Sequence, residues 1–290
     1  MQDVKGKVGF ITGGASGIGL GIAKVFVNAG MQVVIADLRQ DHLDSAMEYF
    51  EQKQQRASVH PIRLDVTDRE GMERAAQESE QRFGKIHVLV NNAGIGIEGP
   101  LEKATYSDWD FGIGVNLGGV INGLQTFLPR ILRHGEGGHI VNTASLAALV
   151  TMPAYMVMYV TSKAAVLALS EALSTELPGK NIGVSVLCPG PVKSNIHELG
   201  KNRPDRFKGS SGFAEAEQLL GQRVVSDMWM EPEQVGEMIL DAVLNNRLYV
   251  ITHGEWRPMA EARFNAMLNA MPEKINPDLI ASLQKPDSGG

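Results

Sequence analysis

A single cysteine in 290 residues rules out an internal disulfide framework. Cys188 lies in an apolar run, reads as a small core hydrophobe, and fits a reducing compartment such as the cytoplasm. Cationic excess is missing too. Lys and Arg total 27 against 33 Asp and Glu, and the resulting charge of −6 offers no basic footprint for nucleic acid. No stretch approaches ~18 uncharged apolar residues, and Met1 is not followed by a basic, then apolar, leader, so neither a membrane span nor export is indicated. The seven histidines form no His-Glu-x-x-His or Cys-x-x-Cys spacing, and no metal is expected.

What is present is a chain with 43% hydrophobic residues, enough for a sizeable core, in which short apolar runs alternate with helical patterns. Strands are expected at 7–12, 31–37, 59–66, 86–90, 139–145, 182–188 and 248–252. Helices are expected at 17–29, 40–55, 68–83 with Asp68 as N-cap, 106–133, 155–177, 232–245 and about 259–271. Alternating strands and helices imply βαβ units, hence an α/β, doubly wound, mainly parallel seven-stranded sheet with helices on both faces. Strands that read as apolar runs rather than strict alternation fit a sheet covered on both sides. No repeat or linker divides residues 1–290, which read as one domain. The irregular segment 195–230 is expected to be a variable substrate lid, and 254–290 a C-terminal extension.

Gly13, Gly17 and Gly19 fall between the first strand and the first helix, where a tight turn brings backbone close to a ligand and a helix N-terminus favours a pyrophosphate. The spacing is Gly-x3-Gly-x-Gly, and a ligand-free turn stays open. Asp37 closes the second strand, where an acidic side chain can bind the adenosine ribose hydroxyls and repel a 2′-phosphate. Arg39 could instead reach that phosphate, so NAD is the expectation and NADP the alternative. Asp65 and Val66 close the third strand, where they would lie along an adenine.

Between Ser145 and Lys163 lie the residues for proton chemistry. Tyr159 and Lys163 are four apart on one helix face, and an ammonium beside a phenol favours the phenolate, lowering a pKa normally near ~10. A Ser145 hydroxyl brought to the same place could hydrogen-bond a substrate oxygen.

Thr12-Gly13-x3-Gly17-x-Gly19, Asp65, Asn91-Asn92-Ala93-Gly94, Asn116, Ser145, Tyr159-x3-Lys163 and Pro189-Gly190 together resemble the short-chain dehydrogenase/reductase family over about residues 5–252. The resemblance implies a Rossmann-type domain, NAD(H) or NADP(H), no metal, and a homodimer or homotetramer. It implies Tyr159 as general acid/base, Lys163 as its electrostatic partner on the nicotinamide ribose, Ser145 orienting the substrate oxygen, and Asn116 anchoring a relay water. It also implies that Gly13, Ser16, Gly17, Ile18 and Gly19 line the pyrophosphate, Asp65 and Val66 the adenine, and Asn92 and Gly94 the adenosine-side ribose. Pro189, Gly190, Val192 and Ser194 would border the nicotinamide.

Leu146, Tyr155, Met156 and Trp229 are the expected substrate wall, apolar and aromatic enough for a bulky secondary alcohol or its ketone, although such residues could equally pack a core. The expected activity is hydride transfer between an alcohol or ketone and a nicotinamide cofactor. The rivals are an NADP-linked carbonyl reductase and a dinucleotide-sensing protein with a relic site.

Overall fold

The computed structural model describes residues 1–196, 198, 203–220, 225–274 and 276–277. Seven parallel strands form one sheet in the order β3-β2-β1-β4-β5-β6-β7. They are β1 (Val8–Thr12), β2 (Gln32–Asp37), β3 (Val59–Arg63), β4 (Val88–Asn91), β5 (Gly138–Thr143), β6 (Ile182–Cys188) and β7 (Tyr249–Ile251). The helices are α1 (Gly17–Asn28), α2 (Gln40–Gln52), α3 (Arg69–Phe83), α4 (Tyr106–Ile113), α5 (Gly119–His134), α6 (Val157–Glu176), α7 (Pro232–Asn245) and α8 (Arg257–Asn269). Two short helices, Asp205–Lys208 and Ala214–Leu220, occupy part of the segment between β6 and α7. Of that segment, 197, 199–202 and 221–224 lie outside the described residues, as do 275 and 278–290 of the C-terminal extension.

Both faces of the sheet are covered. One buries Ile22, Phe26 and Ile35 with α1 and α7. The other buries Phe10, Phe127 and Val166, with Phe10 and Phe127 at 4.3 Å between ring centroids. Each such fully buried side chain contributes about 1.5–3 kcal/mol of transfer free energy.

From β1 the chain winds outward to β2 and β3, and from β4 it winds the other way. The strand order therefore reverses between β1 and β4, and a crevice opens beyond their carboxyl ends at Thr12 and Asn91. Sequence placed these elements to within a few residues.

Two local details differ from the expectations. The expected helix 106–133 is interrupted by a π turn, Gly114–Gly118, between α4 and α5. Asp68 holds the N-cap position of α3 without a capping hydrogen bond, because its carboxylate takes Arg74 at 3.2 Å instead. Among the described residues no helix is long and apolar enough to cross a membrane. No group of three or more His, Cys, Asp or Glu there is placed to hold a metal ion.

Candidate active site

At the crevice, a cleft with about 1120 Å³ of empty space runs from Asp37 to Tyr159. Thr12 ties its two sides together, its Oγ1 accepting from the N–H groups of Asn92 at 3.0 Å and Ala93 at 3.1 Å. The Asn92 amide donates back to the carbonyls of Thr12 (3.1 Å) and Gly13 (3.2 Å), so this side chain braces the turn. Asn91 instead ties β4 to β5, its amide donating to Asn142 Oδ1 at 2.9 Å. A Cβ at Gly19 would stand 2.0 Å from the Gly13 carbonyl oxygen, which is why this turn accepts no side chain there.

No side chain caps the leading N–H groups of α1, and Ser16, Gly17 and Ile18 line the cleft beside them. That donor set fits a dinucleotide pyrophosphate.

At the far end Asp37 is buried, accepting from Ala15 N–H at 3.3 Å and Arg39 N–H at 3.1 Å. Burial pushes its carboxyl above the usual range. Asp65 behaves oppositely: burial acts to raise it, but hydrogen bonds from Thr67 and Arg206 hold it below the ordinary value. The Arg206 guanidinium reaches Asp65 at 3.0 Å and Thr67 Oγ1 at 2.7 Å, spanning the cleft from the segment after β6.

The chemical end is built by β5, the π turn and α6. Ser145 follows β5, and its hydroxyl accepts from Ala147 N–H at 3.1 Å and lies near enough to Tyr159 to bear on the phenol. Asn116 is fully buried in the π turn. Its Oδ1 accepts from Ile95 N–H at 2.8 Å, and its Nδ2 donates to the Ile95 carbonyl (3.0 Å) and Ser162 Oγ (3.1 Å).

Lys163 is 2% exposed and donates to the Thr143 carbonyl at 2.8 Å, with Nζ 5.9 Å from the Tyr159 ring centroid. Burial pushes the lysine down to about 8. The phenol is pushed up: burial raises Tyr159, the nearby Ser145 hydroxyl opposes it, and the Glu98 carboxylate adds to the rise. In this arrangement the ammonium is turned to the Thr143 carbonyl and does not offset the burial of the phenol.

Of the residues singled out from sequence, Gly13, Ser16, Gly17, Ile18, Asp37, Asp65, Val66, Asn92, Gly94, Tyr159, Lys163, Pro189 and Ser194 line the cleft. Others do not. Gly19 sits behind the turn, Gly190 is held by its N–H to Thr252 Oγ1 at 3.0 Å, and Val192 is buried and bridged to Met230. Arg39 is turned outward to Asp41 and Glu198.

The four residues of the expected substrate wall are dispersed in the structure. Leu146 is buried in the main core, Tyr155 is 59% exposed at a left-handed φ of 75°, and Trp229 lies outside the cleft. Only Met156 packs near Tyr159, against a cluster of Ile95, Ile97, Phe111 and Phe213. Sequence reasoning missed this cluster, and it missed His42 and Arg206 on the cleft. The apolar residues immediately after Gly94 were the one available signal.

Comparison with known proteins agrees with this architecture. The chain is 41% identical over 281 residues to a C alpha-dehydrogenase of Sphingobium sp. (strain NBRC 103272 / SYK-6), covering 96% of this chain and 91% of that protein. It superposes on the apo form of LigO from Sphingobium sp. strain SYK-6 with a TM-score of 0.79 and 43% identity over the whole of both chains. A short chain dehydrogenase/reductase from Burkholderia phymatum in complex with NAD gives a TM-score of 0.86 at 31% identity, covering 95% and 99% of the two chains. The short chain dehydrogenase family model matches residues 7–203. The chain belongs to the short-chain dehydrogenase family, and it is an oxidoreductase.

Proposed function

We propose that the chain interconverts a bulky or aromatic secondary alcohol and its ketone with NAD, Tyr159 being the general acid/base. The observation that carries this reading is Tyr159 on the cleft with Lys163, against the apolar and aromatic cluster of Ile95, Ile97, Phe111 and Phe213. The relative named a C alpha-dehydrogenase supports the reaction class. Preference for NAD is supported by Asp37 on the cleft with Arg39 turned away, and by the NAD complex of the Burkholderia phymatum neighbour.

A nicotinamide dinucleotide, when bound, supplies the hydride acceptor for oxidation and the donor for reduction. The protein's residues handle the proton and the positioning. In reduction, Tyr159 is already the phenol its raised pKa favours, and it donates to the ketone oxygen that Ser145 orients. In oxidation it must first lose its proton, which Lys163 assists if its ammonium leaves Thr143 and approaches the phenol. The Asn116 side chain bonds Ile95 and Ser162, and its place beside a relay water is carried over from the family. We carry the homodimer or homotetramer over from the family, to be measured by light scattering.

A kinetic panel tests the reading. Aryl alkanols and aryl ketones should turn over with NAD(H), oxidation climbing with pH while reduction falls. Tyr159→Phe should lower kcat by about 10²–10⁴-fold while the fold persists. Turnover confined to sugars or acyl thioesters, or a Tyr159→Phe variant of undiminished rate, would sink it.

A further inference from the structure

The segment after β6 reaches the adenosine half of the cleft with a charge that the catalytic scheme does not use. Arg39, at the N-cap position of α2, donates from one guanidinium nitrogen to Glu198 Oε2 at 2.7 Å. Its Nε donates to Asp41 Oδ1 at 3.0 Å, and its remaining nitrogen bonds the other Asp41 oxygen. Only 19% of the Arg39 side chain and 22% of the Glu198 side chain are exposed, so the pair is partly withdrawn from water. Asp37 meanwhile holds the backbone N–H of Arg39 at 3.1 Å and stays on the cleft, with His42 4.0 Å away.

Two carboxylates, Asp41 and Glu198, thus engage all three guanidinium nitrogens of Arg39, while Asp37 lines the end of the cleft where an adenosine ribose would lie. Arginine is the side chain best shaped to grip a phosphate through paired N–H groups. Here its fork is already filled by carboxylates, and a dianionic phosphate would have to displace one of them against like-charge repulsion.

We infer that Glu198 is a cofactor-specificity residue, which excludes a 2′-phosphate by holding Arg39 outside the cleft. The inference rests on the NAD reading above and extends it. Discrimination is set by Asp37 and also by a residue 161 positions away in sequence, on the segment that borders the opposite side of the cleft.

Calorimetry on the full chain with adenosine 5′-monophosphate and adenosine 2′,5′-bisphosphate reads this without turnover. Wild-type protein should prefer the monophosphate. Glu198→Gln should shift the bisphosphate-to-monophosphate affinity ratio about tenfold toward the bisphosphate, as expected when a single charge-assisted hydrogen bond to the phosphate becomes possible. Glu198→Asp should retain most of the wild-type ratio, and Arg39→Ala combined with Glu198→Gln should lose the shift. An unchanged ratio in Glu198→Gln, with wild type still preferring the monophosphate, overturns the inference and leaves the NAD reading standing. A shift that persists without Arg39 overturns it as well. Wild-type preference for the bisphosphate overturns the NAD reading and this inference together.

Discussion

Asn116 Nδ2 donates to Ser162 Oγ at 3.1 Å, joining the π turn to α6 one residue before Lys163. The same amide takes both the N–H and the carbonyl of Ile95, so one buried side chain positions three segments of the active end. Extra turns of this kind recur at functional sites because they aim a group that a regular helix would not.

Asn116→Ala leaves the Ile95 backbone groups and the Ser162 hydroxyl without this partner in a buried setting. A stability loss of about 2–4 kcal/mol is expected, from several buried polar groups each costing about 1–3 kcal/mol with partial rescue by water. Chemical denaturation measures it, and a loss within experimental error would contradict the bracing role.

Gly94 is a test of geometry at the reacting end. A Cβ there would lie 3.2 Å from Lys163 Nζ and 3.3 Å from Asn116 Oδ1. Because the lysine end is flexible, Gly94→Ala should fold and melt nearly as wild type while displacing the ammonium, with kcat falling about 10–100-fold. Gly19→Ala should be harsher, since the obstruction there is the Gly13 backbone at 2.0 Å, and dinucleotide binding should fall with it. Full activity in Gly94→Ala would refute the crowding argument.

Arg203 anchors the segment after β6. It pairs with Asp108 at 3.0 Å and with Glu217 through two bonds, all three residues being buried, and its guanidinium lies 4.7 Å from the Phe111 ring centroid. Arg203→Met would leave two buried carboxylates without their cation, a change that typically costs about 3–5 kcal/mol. Segment 203–218 should then be cut faster by thermolysin, and the apparent affinity for cofactor should weaken. Unaltered proteolysis would show that the anchor lies elsewhere.

His139 predicts an acid limb of stability. It is wholly buried, shares Nε2 with Ser185 Oγ at 2.8 Å, and is pushed down to about 3 by burial. The unfolded chain takes up its proton near the ordinary value of ~6.5, which the folded protein refuses, so stability falls as pH drops from about 6.5 to about 3. The slope from this group approaches ~1.4 kcal/mol per pH unit. Urea unfolding at several pH values should show that slope diminished in His139→Gln relative to wild type. His87, also lowered by burial, and carboxylates held low by their cations, Asp41 and Glu136 among them, leave a residual trend in both. Parallel wild-type and variant curves would contradict the assignment.

Sequence alone determined the strand and helix order, the glycine turn at Gly13–Gly19, Asp37 at the end of β2, and the spacing of Ser145, Tyr159 and Lys163. These are legible because apolar periodicity, turn chemistry and short helical spacings are local properties of the chain. Tertiary structure decided the rest. It placed Arg39 on Glu198 instead of on the cleft, and it turned Lys163 toward Thr143. It also buried Leu146 in the core while bringing Phe111 and Phe213, 102 positions apart, into contact with the Tyr159 cluster. No local pattern encodes these outcomes. The direction of a long side chain, and which apolar residues meet across a cleft, depend on partners supplied by distant segments once the sheet has closed around its core.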